Sequence, residues 1–268
     1  MSRTAHKLLA ASGGDTGYEI DQSLMFDQVD DPVLTRTPSS AGDRRTWTFS
    51  CWIKPSLTTG SSDYNYILVG QGASGGSAGY QTRLMLYTDY IHFANYNASS
   101  DAYYNGPIMR DTAAWYHVVL QVDTTQASID NRVKIYVNGS QVTLTYAYRP
   151  AQDAQFHINN TTVQNVGGDK HYGTHQYDGY IAEAHLIDGT IKAVGDFGET
   201  DEDTGQWIPK EYEGGSYGTC GFYLKFVSGA LGTDSSGQGN NFTAENLANS
   251  DVMLDTPTNN YPTINSLE

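Results

Sequence analysis

Along most of this chain apolar and polar residues alternate with a period of two, and the alternation breaks at short turns rich in Gly, Asn and Asp. Successive side chains of a strand point to opposite faces, so this pattern is that of half-buried strands; a helix would need apolar residues three and four apart. The run from Trp47 to Ile53 sets Trp47, Phe49, Cys51 and Ile53 on one face and Thr48, Ser50 and Trp52 on the other, and Pro55 ends it. Residues 132–137 and 141–146 flank Asn138-Gly139, and residues 81–87 and 90–96 flank Thr88-Asp89. Asn-Gly tolerates the positive φ angles of a type I′ turn, so the first pair is the clearest hairpin in the chain. Further strands are expected at 23–26, 33–36, 66–69, 116–122, 154–158, 179–187 and 221–227, about a dozen in all. A helix is expected only at 4–11, before Gly13-Gly14.

The remaining segments read as loops. Residues 56–62 and 71–79 are rich in Gly and Ser, 161–177 is long and polar, 196–217 is an acidic excursion, and 251–268 is irregular. The expected organisation is an N-terminal extension for assembly at 1–17, one sandwich domain at 18–250, and a tail at 251–268. A formal charge of -15 excludes unaided nucleic-acid binding, and no apolar stretch approaches the length of a membrane span. The apolar run at 8–11 is too short for the core of a signal peptide. Cys51 and Cys220 lack metal-binding spacing and are expected to be ordinary thiols.

Four blocks occur in order: Trp47-Thr-Phe-Ser-Cys-Trp-Ile-Lys54, Trp115-Tyr-His-Val-Val-Leu-Gln-Val-Asp123, Lys134-Ile-Tyr-Val-Asn-Gly139 and Gly179-Tyr-Ile-Ala-Glu-Ala-His-Leu-Ile-Asp188. In that order they resemble the laminin-G-like branch of the concanavalin A-like lectin/glucanase superfamily. Tyr18 to Leu24, Asp196 to Asp201, Tyr217 to Phe226, Asp234 to Phe242 and Asp255 to Tyr261 are similar to a narrower group, the laminin-G-like proteins of tailed bacteriophages and prophages. The resemblance implies an all-β, two-sheet antiparallel jelly-roll sandwich with long loops. It also implies a non-enzymatic virion appendage protein, of tail-fibre or head-decoration type, placed on the virion surface. The partners it implies are a host cell-surface glycan, other virion proteins and copies of the chain itself, trimers being favoured. A purely structural decoration without a ligand is the alternative, and a glycoside hydrolase the third reading.

Fold alone does not decide among these, so the site residues matter. Hydrolysis of a glycosidic bond needs two carboxylates at a fixed separation. Glu199 to Asp203 is flanked by glycines and reads as a solvated loop, and Glu183 and Asp188 are five apart, on opposite strand faces. Gly75-Gly-Ser77-Ala-Gly79 lacks the strand-to-helix context of a nucleophile elbow, and His171 and His175 share a loop without helical spacing support for zinc. No cofactor is required. Calcium is the one candidate ion, with Asp27, Asp30 and Asp31 in one acidic turn and Asp201 and Asp203 in another offering the oxygen ligands it prefers. Tyrosines crowd residues 64–104, and aromatic rings cover sugar faces while amides and carboxylates read hydroxyls. Tyr96, Asn97, Asp101, Tyr103, Tyr104 and Asn105, in a setting too polar and turn-rich for a buried strand, are therefore the expected glycan contacts.

Overall fold

The computed structural model describes residues 17–56, 64–72, 80–97, 99–170 and 175–260, without the side chains of residues 99–101. Within them lie eighteen strands: β1 (Ser23–Phe26), β2 (Val33–Arg36), β3 (Thr46–Pro55), β4 (Tyr64–Gln71), β5 (Tyr80–Tyr87), β6 (Tyr90–Asn97), β7 (Ser99–Ile108), β8 (Tyr116–Asp123), β9 (Val133–Val137), β10 (Ser140–Gln141), β11 (Thr145–Tyr148), β12 (Gln164–Val166), β13 (Gly179–Asp188), β14 (Gly198–Thr200), β15 (Trp207–Pro209), β16 (Phe222–Leu224), β17 (Thr243–Glu245) and β18 (Val252–Met253). One sheet runs β10-β9-β8-β3-β13-β1-β18, with β16 also on β13; the other runs β11-β7-β6-β5-β4-β12-β2-β17. All pairings are antiparallel, and the two sheets enclose one core, so the fold is the expected jelly-roll sandwich.

The alternation in β3 does what its pattern implies. Trp47, Phe49, Cys51 and Ile53 are fully buried between the sheets, against Leu84, Phe93 and Phe156 among others. Both cysteines are buried free thiols, and complete burial pushes the Cys51 thiol far up. The two hairpins also form with positive φ at both turn residues: 47° and 76° at Thr88 and Asp89, 47° and 79° at Asn138 and Gly139. At Gly139 a Cβ would come within 2.4 Å of the Trp207 ring, so glycine is required there twice over.

Several expected elements change. After Gln141 the chain leaves the first sheet, and Thr145–Tyr148 joins the edge of the second, so no strand runs through 141–146. Residues 154–158 bury Phe156 and Ile158 in the core but make no ladder. The polar segment 161–177 contributes β12, three residues clamped between β2 and β4. The acidic excursion folds back as the β14–β15 hairpin, because the Asp201 carboxylate caps the turn by accepting from the main-chain N–H groups of Asp203 and Thr204. Part of the expected tail belongs to the sandwich: β18 pairs with β1, and Asp255 accepts from buried Lys54 at 2.7 Å and from the Trp115 indole at 3.0 Å. The expected helix at 4–11 and most of the expected extension at 1–17 lie outside the described residues. No described helix is long and apolar enough to cross a membrane.

Candidate functional site

Each sheet has one face on the core and one facing outward, and the two outward faces differ. On the first sheet, Trp52 stacks on His117 (4.7 Å between ring centres), which in turn lies beneath Trp207 (6.0 Å) from β15. The Trp207 indole can only donate, so His117 Nδ1 accepts at 2.9 Å, and the proton on Nε2 goes to the Ser50 hydroxyl at 2.8 Å. Burial, with His185 nearby, pushes His117 down to about 3 and keeps it neutral. Beside it, His185 is stacked on Tyr223 at 4.1 Å within a cluster completed by Phe197, Tyr212 and Tyr217. The chain's own segments thus close this face.

Glu183 lies within that closed layer. A register shift in β13 between Ala182 and His185 puts Glu183 at φ 47°, a left-handed conformation that costs a bulky residue energy. Its carboxylate accepts from the Tyr18 hydroxyl and from the Tyr223 hydroxyl, with the His185 ring 3.9 Å away. Burial pushes its pKa up, yet the neighbouring His185 ring and the hydrogen bonds from Tyr18 and Tyr223 outweigh that and hold it below the usual carboxylate range. The carboxylate ties Tyr18 to the sheet. Asp188, as expected from spacing, is on the other side of the strand, where it accepts from the main-chain N–H groups of Asp43 and Cys220.

The outward face of the second sheet is built on β4, β5, β6 and β7. Its cross-strand rows follow from the registers: Tyr64 opposite Tyr87; Tyr66, Met85, His92 and Asn105; Val69, Arg83, Ala94 and Tyr103; and Gln71, Gln81 and Tyr96. Tyr66, Val69 and Met85 form its buried floor, while Tyr64, Arg83, Tyr87, Tyr96, Tyr103 and Asn105 are half-buried. Tyr64 stacks on Tyr87 at 4.8 Å, and the His92 ring meets Tyr103 edge-on at 4.4 Å. His92 Nδ1 donates to Asn105 Oδ1 at 2.7 Å, and burial pushes that imidazole down to about 4. Arg83 donates to the Tyr66 hydroxyl and spreads over the Tyr96 ring at 4.4 Å. Burial pushes Tyr66 up to about 12 despite Arg83, so its phenol is neutral.

Of the residues expected from sequence, Tyr96, Tyr103 and Asn105 share this face. Tyr104 does not: it is 4% exposed, points into the core and stacks on Phe93, because β7 continues through the polar stretch and alternates across it. Asn97 ends β6 in solvent; Asp101 lies in β7, its side chain outside the described residues. Arg83 and His92 were not named from sequence, and Tyr64, Tyr66 and Tyr87 belonged to the crowd of tyrosines without being expected as contacts. The Thr88-Asp89 hairpin held the signal, since it places Arg83 opposite Ala94 and Met85 opposite His92.

The acidic turns named as calcium candidates lie in two separate loops. Asp27 turns back to cap Val29, and Asp27, Asp30 and Asp31 are all exposed around a three-residue 3-10 turn. Asp201 is engaged in its own loop and Asp203 is exposed. Among the described residues no group of three or more His, Cys, Asp or Glu could hold a metal ion. His171 and the Gly75–Gly79 motif lie outside the described residues, and His175 packs its ring on Tyr64 and Tyr66.

The chain belongs to the concanavalin A-like lectin/glucanases superfamily: a laminin-G family model of that superfamily matches residues 27–193, well over half its length. Among solved structures, a candidate carbohydrate-binding protein of Bacteroides ovatus is similar at 17% identity and a TM-score of 0.51, over 85% of this chain and 59% of that one. The heptameric SAP-like pentraxin of Limulus polyphemus is 18% identical with a TM-score of 0.48, over 65% and 78% of the two chains. The CBM40 of the Ruminococcus gnavus IT-sialidase, bound to α2,3-sialyllactose, is 15% identical with a TM-score of 0.40, over 60% and 85%. The likeness at these identities is one of fold. No curated protein matches the chain.

Proposed function

We propose that this chain is a carbohydrate-binding module and that the outward face of the second sheet is where the glycan binds. The observation that carries this reading is the half-buried ring array of Tyr64, Tyr87, Tyr96 and Tyr103 around Arg83 on the outward face of β4 to β7. Rings on paired strands are held in place before ligand arrives, so binding costs little conformational entropy. Their flat faces suit the C–H side of a pyranose, while the phenols, Asn105 and Arg83 supply donors to its hydroxyls. Binding without hydrolysis is the favoured chemistry, since Glu183 is enclosed and its partners are two tyrosines and a histidine rather than a second carboxylate.

The finer reading rests on the resemblance of the 18–24, 196–201, 217–226, 234–242 and 255–261 segments to laminin-G-like phage proteins. In it the module sits on a virion appendage, assembles as a homo-oligomer, trimers favoured, with other virion proteins, and adheres to a host-surface glycan. Those segments have structural work in this chain: the Asp234 carboxylate, for one, accepts from Tyr223 N, Ser236 N and Asn240 N and organises its whole loop.

The test is a glycan panel probed with the intact chain and with a Tyr87→Ala/Tyr103→Ala variant. Binding by the wild type that falls roughly 10- to 100-fold in the variant, the worth of one or two desolvated rings, supports the reading. Binding that survives the double substitution moves the site elsewhere, and no binding to any glycan favours a structural decoration.

A further inference from the structure

Arg83 has different company from the other described arginines. Arg45, Arg110 and Arg149 face carboxylates, of Asp43 and Asp153, Asp89 and Asp130 respectively. Arg36, Arg44 and Arg132 are held by main-chain carbonyls of Cys220, Phe156 and Pro150. Arg83 has neither among the described residues. Its guanidinium meets the Tyr66 hydroxyl and the Tyr96 ring, and its Nε is buried without a partner. Asp169, the acidic side chain beside the Gln71–Gln81 pair, is engaged by both of those amides. In a chain with a formal charge of -15, a half-buried cation with no anion beside it among the described residues is conspicuous.

The chemistry of this gap is specific. A guanidinium withdrawn from water is costly unless a counter-charge meets it, and its planar fork matches a carboxylate through two parallel hydrogen bonds. Val69 and Ala94, its neighbours in the row, are too short to cover it, and Tyr103 beyond Ala94 offers a ring beside it. A neutral sugar would satisfy the rings and phenols but leave the cation unmatched. We infer that the sugar recognised on this face carries a carboxylate, that Arg83 binds that carboxylate, and that the tyrosines around it take the ring bearing it. This deepens the carbohydrate-binding reading and rests on it. A uronic or other sugar acid meets the requirement; a sulfate ester can also present two oxygens to the fork, so a sulfated polymer is the control that separates the two anions.

The experiment measures affinity of the intact chain for polygalacturonate, alginate and polysialic acid, each beside its carboxyl-reduced form, with dextran sulfate and a panel of neutral glycans alongside. Binding to at least one acidic polymer is expected, with a loss of about 10- to 100-fold on carboxyl reduction, the worth of a charged hydrogen-bonded pair. Arg83→Gln should produce the same loss, and Arg83→Lys should recover part of it. Carboxyl reduction alters only the ligand, so the test stands even if Arg83→Gln folds poorly. Neutral glycans bound as well as acidic ones, or dextran sulfate bound in preference to every carboxylate, overturns the inference while leaving a glycan-binding face. Failure to bind any polymer or glycan overturns both.

Discussion

Tyr103 and Tyr104 are neighbours in β7 and face opposite ways, so one substitution at each separates the core from the open face. The Tyr104 ring is 4% exposed and packs against Phe93 and Tyr146. Truncating a buried aromatic side chain to alanine costs about 3–5 kcal/mol, from lost transfer energy and the cavity left behind. In a domain of this size each kcal/mol moves Tm by about 2–4 °C, so Tyr104→Ala should lower Tm by roughly 6–20 °C. Tyr103 is half-buried, with the His92 ring edge-on at 4.4 Å, and no core cluster includes it. Its truncation should cost about 1 kcal/mol and leave Tm within a few degrees of wild type. Thermal melts and denaturant titrations on the two single variants provide the readout. Equal losses of stability, or a larger loss at Tyr103, would refute the placement of these rings and with it the register of β7 on β6.

Three further outcomes follow from the packing. Asp255→Ala removes the partner of Lys54, whose side chain is 2% exposed, and should cost about 3–5 kcal/mol in denaturant unfolding; replacing both residues with apolar ones should restore most of it. Asp178 is pushed up to about 6 by burial and then by Asp27, so its ionisation opposes folding as pH rises from about 4 through about 6. Asp178→Asn should therefore stabilise the protein at neutral pH by on the order of 1 kcal/mol, given its partial exposure, and the gap between variant and wild type should close in acid. Glu183 has the opposite sign: held below its ordinary value of 4.5, it contributes stability above that pH which is lost as pH falls through its lowered value. Glu183→Gln should flatten that acid-side decline in a pH series of unfolding curves, and an unchanged slope would show that Glu183 is not held by its donors.

How far the sequence revealed this molecule depends on what holds each element. β3, β8, β9 and the β5–β6 hairpin were legible because alternation and turn chemistry are local signals, and each strand buries apolar side chains on its inward side. β12 reads Gln-Asn-Val, three residues with no alternation to detect; only its two neighbouring strands make it a strand. β18 is likewise defined by β1, and Asp255 and Asn260 beyond it by Lys54. The site was legible in part. Counting tyrosines drew attention to the stretch that forms β4 to β7, but Asn, Asp and Ser in the sequence of β7 disguised a strand as a loop and hid that Tyr104 points inward. Arg83 carried no motif, and its meaning appears only when the registers of β4, β5 and β6 bring Tyr66 and Tyr96 to it.

The most direct measurement is a crystal structure of the chain soaked or co-crystallised with the tightest-binding oligosaccharide from the panel. Density for a sugar ring lying on Tyr87 and Tyr103, with a polar group against the Arg83 guanidinium, is the expected result. A sugar seated instead on the first sheet, on a loop at the sandwich rim, or away from Arg83 and its tyrosines contradicts the assignment of the second sheet's outward face as the binding surface.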